Sequence, residues 1–150
     1  QVSVITLSSF QDKDGALVPI DLASQIPFNV KRIFYVYNVP TDSDTRGEHA
    51  HYKTKQLLIS INGSIDVKCD DGLGGVRTWT LTQPWNAIYI PEMIWDEQRY
   101  NTKDAILLVL SNTKYDKSDY IEDYEEFKKI KKPIKRGWRG QKLGTYHEDK

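Results

Sequence analysis

Two histidines at alternate positions, His49 and His51, stand in the segment Arg46-Gly47-Glu48-His49-Ala50-His51-Tyr52-Lys53. An extended strand points successive side chains to opposite faces, so His49, His51 and Lys53 are expected to share a wall. An imidazole changes charge near neutrality, with an unperturbed pKa of about 6.5. Such a pair ligates a metal or moves protons, and without a metal it supplies a general base and a general acid. Tyr35 and Tyr37 alternate in a second strand-like stretch and share a face of their own. A tyrosine hydroxyl can donate to a developing enolate oxygen or pass a proton between neighbouring oxygens. Arg32, Arg46 and Lys53 are the candidates for holding phosphate oxygens, the arginines in bidentate fashion.

These residues need a scaffold of strands. Val2 to Leu7, Ala16 to Ile20, Lys31 to Val39, Gln56 to Ile61, Ile65 to Cys69, Arg77 to Leu81, Ala87 to Ile90 and Ala105 to Leu110 all read as short strands between turn signals. Asn62-Gly63 between two of them is a strong hairpin signal. Many short strands at this spacing predict an all-β fold, a closed or two-sheet antiparallel barrel. The period changes only after Leu110. Tyr120, Tyr124, Phe127 and Ile130 form a stripe that predicts one C-terminal helix over residues 118–131, with Ser118 as N-cap and Pro133 as stop. Trp85 and Trp95 are expected in the core or at its rim, and Cys69, in register with Ile65 and Val67, as a buried and inert thiol.

The chain has 150 residues, 39% hydrophobic, which bounds it to one globular domain. We divide it into a domain over 1–133 and a basic tail over 134–150. Formal net charge is zero, so the overall field favours neither nucleic acid nor a membrane surface. No apolar run reaches the roughly 20 residues that span a bilayer. A single cysteine permits no internal disulfide and fits a cytoplasmic location. The chain opens at Gln1, so the numbering is expected to begin inside a longer gene product.

The order His49-x-His51, then Gln56, then Pro91 leading to Trp95-Asp96-Glu97 resembles the two motifs of the cupin superfamily. There a His-x-His pair, a Glu and a later His line the mouth of a small jelly-roll barrel. Gln56 stands here at the Glu position and Asp96 at that of the third His, which weakens a four-ligand metal site. His49, His51 and Asp96 still compose the two-His-one-carboxylate set of non-haem iron oxygenases, which keeps a metal-dependent cupin oxygenase as an alternative.

A closer resemblance runs through Asp14-Gly15-Ala16-Leu17-Val18, Ile26-Pro27-Phe28, Lys31-Arg32-Ile33-Phe34-Tyr35, Arg46 to His51, Pro91 to Glu97, Asp116-x-x-Asp119-Tyr120-Ile121 and Phe127-Lys128-Lys129. In that order these segments are similar to the sugar 3,4-ketoisomerases. The resemblance implies conversion of dTDP-4-keto-6-deoxyglucose to a dTDP-3-keto-6-deoxyhexose, on the way to 3-aminosugars of surface glycans or antibiotics. It implies no metal and no cofactor, and a homodimer that exchanges N-terminal strands. The family's catalytic histidines fall on His49 and His51, and its sugar-contacting tyrosine on Tyr35 or Tyr37. The family commonly has Trp-His-Glu where this chain has Trp95-Asp96-Glu97, which makes Asp96 a substrate-contact candidate. Moving the ketone from C4 to C3 requires loss of the C3 proton, an enediol and reprotonation at C4. On this reading His51 is the base at carbon, His49 delivers or relays the proton, and Tyr37 or Tyr35 shuttles between the oxygens. Two further alternatives are a non-catalytic nucleotide-sugar-binding cupin and a 3,5-epimerase.

Overall fold

A computed structural model describes residues 1–133; the tail assigned to 134–150 lies outside the described residues. Twelve strands are arranged as β1 (Ser3–Thr6), β2 (Phe10–Asp12), β3 (Gly15–Leu17), β4 (Arg32–Val36), β5 (Arg46–His51), β6 (Gln56–Asn62), β7 (Ile65–Asp70), β8 (Val76–Leu81), β9 (Asn86–Ile90), β10 (Trp95–Tyr100), β11 (Ile106–Ser111) and β12 (Tyr120–Ile121). Short α1 (Leu22–Gln25) lies between β3 and β4, and α2 (Tyr124–Lys131) follows β12. Two five-stranded antiparallel sheets make the sandwich, ordered β1-β9-β6-β11-β4 and β12-β5-β10-β7-β8. This is the expected all-β jelly roll with a C-terminal helix.

Between the sheets, Leu58, Ile88, Leu107 and Val109 meet Ile65, Val67, Cys69 and Tyr100. Leu57, Ile59 and Leu110 face the other way and are covered by Val18, Ile20, Phe28 and Val30 of the segment before β4. That second layer explains why β6 is apolar on both faces rather than alternating. On the outside of the second sheet, Ala50, Trp95 and Ile121 pack under Phe127 of α2.

Three expectations about elements need correction. Asn62-Gly63 turns the chain but makes no hairpin, because β6 pairs with β9 and β11 whereas β7 pairs with β8 and β10. The turn is a corner between the sheets. Gly63 has φ +75, and a Cβ there would lie 2.3 Å from Thr102 Oγ1. The C-terminal helix begins at Tyr124, capped by the Asp123 carboxylate, which accepts from Glu126 N. Ser118 instead donates to Asp116 in a one-turn 3-10 segment, and Tyr120–Ile121 add a short strand to β5. Lastly, Trp95–Tyr100 is a central strand that polar residues had disguised: its buried positions include Asp96 and Gln98.

Candidate active site

The inner faces of the two sheets are apolar at one end of the sandwich and polar at the other. At the polar end β5 carries the histidines, and their side chains do share a face: the two rings lie 4.8 Å apart, edge to face. Alternation puts them there, and a bulge precedes them. Gly47 (φ 83) and Glu48 (φ 57) adopt left-handed backbone, and the ladder slips so that His49 faces Asp96 while Gly47 faces Glu97 and Arg46 faces Gln98. The extra residue, Glu48, returns Arg46 to the face of His49. A Cβ on Gly47 would stand 3.1 Å from the Asp96 carboxylate, so glycine is required for this close approach as well as for its φ.

The two imidazoles have different surroundings. His49 is half-buried, and its Nδ1 lies 2.8 Å from the Gly47 carbonyl oxygen. A carbonyl only accepts, so Nδ1 donates, and in the neutral form of this ring the lone pair is the one on Nε2. His51 is 5% exposed. Burial lowers its pKa to about 4, helped by the neighbouring His49 and by Arg32 and opposed by Asp119, so it is neutral at pH 7. The pocket around His51 is closed by Arg32, Gln56, Ser111 and Thr54. Gln56 therefore occupies the inward position the motif assigned to it.

Sequence reasoning missed the third ring of the cluster. Tyr120 packs edge to face against His49 at 4.9 Å and against His51 at 4.5 Å between ring centres. It is placed by Asp119, whose buried carboxylate accepts from Lys53 N at 2.8 Å, Thr54 N at 3.1 Å and the Thr54 hydroxyl at 2.5 Å. One side chain thereby staples the exit of β5 to the segment that carries Tyr120. Two capping groups in succession, at Asp116 and Asp123, are the sequence signal that would have left Tyr120 outside the helix.

Tyr35 and Tyr37 are not on this wall. Tyr35 pairs with Leu108 on the outer face of the first sheet, and the two tyrosines are 64% and 59% exposed. The inward residues of β4 are Arg32, Phe34 and Val36. The alternation was right, but its phase is set by the core, which takes Phe34 and Val36. Lys53 also leaves the face: β5 ends at His51, and Lys53 stands exposed on the loop beyond. Arg46 is exposed at the rim, near enough to Tyr100 for its charge to oppose the burial that raises that phenol to about 12.

Asp96 is buried at the floor of the site. It accepts from Gln98 Nε2 at 2.9 Å, and Gln98 in turn accepts from the Tyr100 hydroxyl at 3.2 Å. Burial raises the Asp96 pKa, with His49 pulling the other way. Among the described residues no three His, Cys, Asp or Glu side chains converge as a metal site requires, so His49, His51 and Asp96 do not form the facial set. Cys69 is buried, and its thiol pKa is raised by burial, as an inert role requires. No helix among the described residues is long and apolar enough to cross a membrane.

One cleft reaches this cluster, and a second lies beside it without being lined by the three rings. The first, of about 560 Å³, opens on His49 and Tyr120 and is walled by Glu48, Glu97, Glu122 and Trp95. The other, about 570 Å³, lies beyond His51 and is walled by Lys31, Lys53, Lys114 and Tyr115. A free imidazole nitrogen, a neutral buried imidazole and a phenol in contact with both make an acid–base site able to move protons at carbon and oxygen without a redox partner.

Comparison with known proteins agrees with this chemistry. Residues 1–132 match the family model described as "FdtA: WxcM-like, C-terminal". The chain is 36% identical over 126 residues to the TDP-4-oxo-6-deoxy-alpha-D-glucose-3,4-oxoisomerase of Aneurinibacillus thermoaerophilus, covering 84% of this chain and 89% of that protein. It superposes with a TM-score of 0.82, at 34% identity, on a mutant of the 3,4-ketoisomerase QdtA from Thermoanaerobacterium thermosaccharolyticum in complex with TDP-4-keto-6-deoxyglucose, covering 86% of this chain and 92% of that one. For WlaRA, a TDP-fucose-3,4-ketoisomerase from Campylobacter jejuni, the TM-score is 0.80 at 36% identity, with 89% and 97% covered. With its jelly roll, its histidine pair and a match over residues 1–132, the chain belongs to the FdtA/WxcM-like family.

Proposed function

We propose that this protein is a nucleotide-sugar 3,4-ketoisomerase acting on dTDP-4-keto-6-deoxyglucose, the type of substrate named for its relatives. The observation that carries the reading is the cluster of His49, His51 and Tyr120, in which one imidazole is tied by its Nδ1 to a backbone carbonyl. A neutral imidazole with a free Nε2 is a base. It takes the proton from C3, and the C–H electrons form the C3–C4 double bond while the C4 carbonyl oxygen gains charge. Proton transfer from O3 to O4 and protonation of C4 complete the exchange with no net change in protons or electrons, so the reaction calls on no cofactor.

The geometry supports His49 as that base, rather than His51 as the sequence suggested. His51, buried and neutral, is suited to donate a hydrogen bond to a charged oxygen, since a neutral imidazole N–H polarises oxygen without itself losing a proton. Tyr120 takes the shuttling role first given to Tyr35 or Tyr37. Arg32 and Arg46 stand at the two ends of the polar mouth as candidates for substrate oxygens, and Asp96 acts from beneath His49.

A homodimer belongs to the same reading. Within the chain β1 pairs with its own β9, and the N-terminal element left without a partner is the β2–β3 hairpin, with Phe10 61% and Leu17 63% exposed. That hairpin is the arm we assign to a second copy, rather than β1. A cytoplasmic location accompanies this assignment, since the single buried thiol calls for no oxidising compartment.

The test is proton NMR of dTDP-4-keto-6-deoxyglucose with chelator-treated protein in deuterated water. The expected result is a 3-keto sugar with deuterium at ring carbons, and the coupling at C4 reports the configuration. Turnover that appears only when iron is restored, or binding without turnover, would overturn it.

A further inference from the structure

A carboxyl group sits deep in the sandwich beside the histidine pair. Asp96 is 1% exposed and stands across the ladder from His49. Residues opposite one another in an antiparallel pair share a face, with Cβ atoms about 4.5–5.5 Å apart. Gly47 admits the carboxylate, since a Cβ there would lie 3.1 Å from Asp96 Oδ1.

Little holds this group as an anion. Among the described residues its hydrogen-bond donor is Gln98 Nε2 at 2.9 Å, a neutral amide. A buried carboxylate needs several donors or a cation to offset its lost hydration. The surroundings offer few cations. Cys69 faces Asp96 from β7, and burial keeps its thiol neutral. On β10 itself Glu97 opposes ionisation, and Tyr100 is a phenol raised to about 12. Arg46 faces Gln98 from β5 but is exposed at the rim, where its charge is screened. Around His49 are the neutral His51, Tyr120 and, along the cleft, Glu48 and Glu122. An imidazolium at His49 is therefore the cation that Asp96 can pair with, and it lowers the Asp96 pKa against the effect of burial.

The ring does not need the carboxylate for its orientation. His49 Nδ1 is tied to the Gly47 carbonyl at 2.8 Å. An aspartate beside a histidine commonly both fixes the tautomer and balances the charge. Here a backbone carbonyl does the first, which leaves Asp96 the second. The order of events makes that useful. Before the C3 proton moves, the imidazole is neutral and there is no charge to attract. Once Nε2 has taken the proton and the C–H electrons lie in the C3–C4 bond, a cation stands beside a buried carboxylate. An attraction present only after transfer lowers the barrier to it. When the ring gives the proton up again, the pair is as it began.

We infer that Asp96 is a positioning residue acting through His49, the counter-charge of the imidazolium that forms when His49 takes the C3 proton. The inference rests on the proposed ketoisomerase reading and deepens it.

The kinetic test is Asp96→Asn with dTDP-4-keto-6-deoxyglucose, followed against pH. We expect kcat to fall about tenfold or more with substrate affinity held within about twofold, because the lost attraction belongs to the charged state alone. The form of the pair that accepts a proton from carbon carries none on either group, and two coupled groups bind their first proton more tightly than one. The acid limb of kcat/KM should therefore move to lower pH by about one unit or more in the variant. A fall in kcat with the acid limb unmoved, or a kcat within about twofold of wild type, would overturn the assignment. A second measurement needs neither turnover nor a folded Asp96 variant. Carboxyl-carbon NMR of wild type and His49→Asn reads the titration of Asp96 itself. It should move up by about one unit or more in His49→Asn, where no imidazolium forms. Titration at the same pH in both proteins would overturn the pairing. If wild type leaves dTDP-4-keto-6-deoxyglucose unchanged but the carboxyl responds to His49, the ketoisomerase reading falls and the pair stands.

Discussion

Replacing His51 by Gln should flatten the acid side of the protein's stability curve, and the size of that effect follows from burial. In the folded chain His51 has a pKa of about 4, chiefly because burial penalises the imidazolium. In the unfolded chain it returns to about 6.5. Between those values the unfolded state binds more protons than the folded one, so stability rises with pH through this window. The contribution is fully present above about pH 6.5 and is lost as pH falls toward 4. The linkage relation puts the loss at about 2 kcal/mol by pH 5 and about 3 kcal/mol by pH 4. Asp96 works in the opposite sense, because burial raises its pKa: its contribution is present at low pH and lost as pH rises through the folded value. Wild type and variant share that contribution, so the difference between them isolates His51. Gln is neutral at every pH and can meet the polar groups Gln56, Ser111 and Thr54 that close the pocket. The assay is urea unfolding of both proteins at pH 7.5, 6.0 and 5.0. We expect wild type to lose about 2 kcal/mol more than His51→Gln over that range. Parallel pH dependences, within about 0.5 kcal/mol, would refute the reasoning and mean that His51 is not buried as a neutral imidazole.

Other perturbations probe the remaining parts of the site. His49→Asn should lower kcat by about 10²-fold or more with little change in substrate affinity, measured by coupled turnover and equilibrium binding; activity within a few-fold of wild type would remove His49 as the base. Tyr120→Phe should lower kcat by a similar factor whereas Tyr37→Phe should not, because only Tyr120 touches the imidazoles; the reverse order would restore the role to β4. Asp119→Ala should cost about 3 kcal/mol or more in chemical denaturation, as a buried carboxylate bonded to two backbone amides and a hydroxyl is lost. Phe127→Ala should cost roughly 3–5 kcal/mol in the same assay, since the ring is fully buried beneath α2 against Trp95.

How much was legible in the sequence differs by element. Short apolar strands bounded by Gly, Asn and Pro report their own existence, because burial on a pleated face imposes period two locally. The all-β sandwich and the buried Cys69 followed from that, and a change of period marked the C-terminal helix, whereas the short α1 went unread. β10 did not, because its alternate residues are polar ones buried at the site floor, and hydrophobicity cannot signal a strand whose inward face is Asp96 and Gln98. Asn62-Gly63 was read correctly as a turn, but a turn does not say whether its two strands pair or part into different sheets.

The chemistry divides along the same line. Residue type and spacing determined that His49 and His51 share one face and belong together, since alternation along a strand is a property of the backbone. Tertiary structure alone decided the surroundings of each: the bulge at Gly47 and Glu48 brings one imidazole to a carbonyl, and closure of the sandwich over the other strips it of water. It also decided which tyrosine joins them. Tyr35 and Tyr37 alternate as surely as the histidines, but the core claims the opposite face of their strand, and Tyr120 arrives from 69 positions beyond His51 (120 − 51) on an edge strand held by Asp119. Period is local and therefore readable; phase, depth of burial and long-range partnership depend on what the rest of the chain packs against.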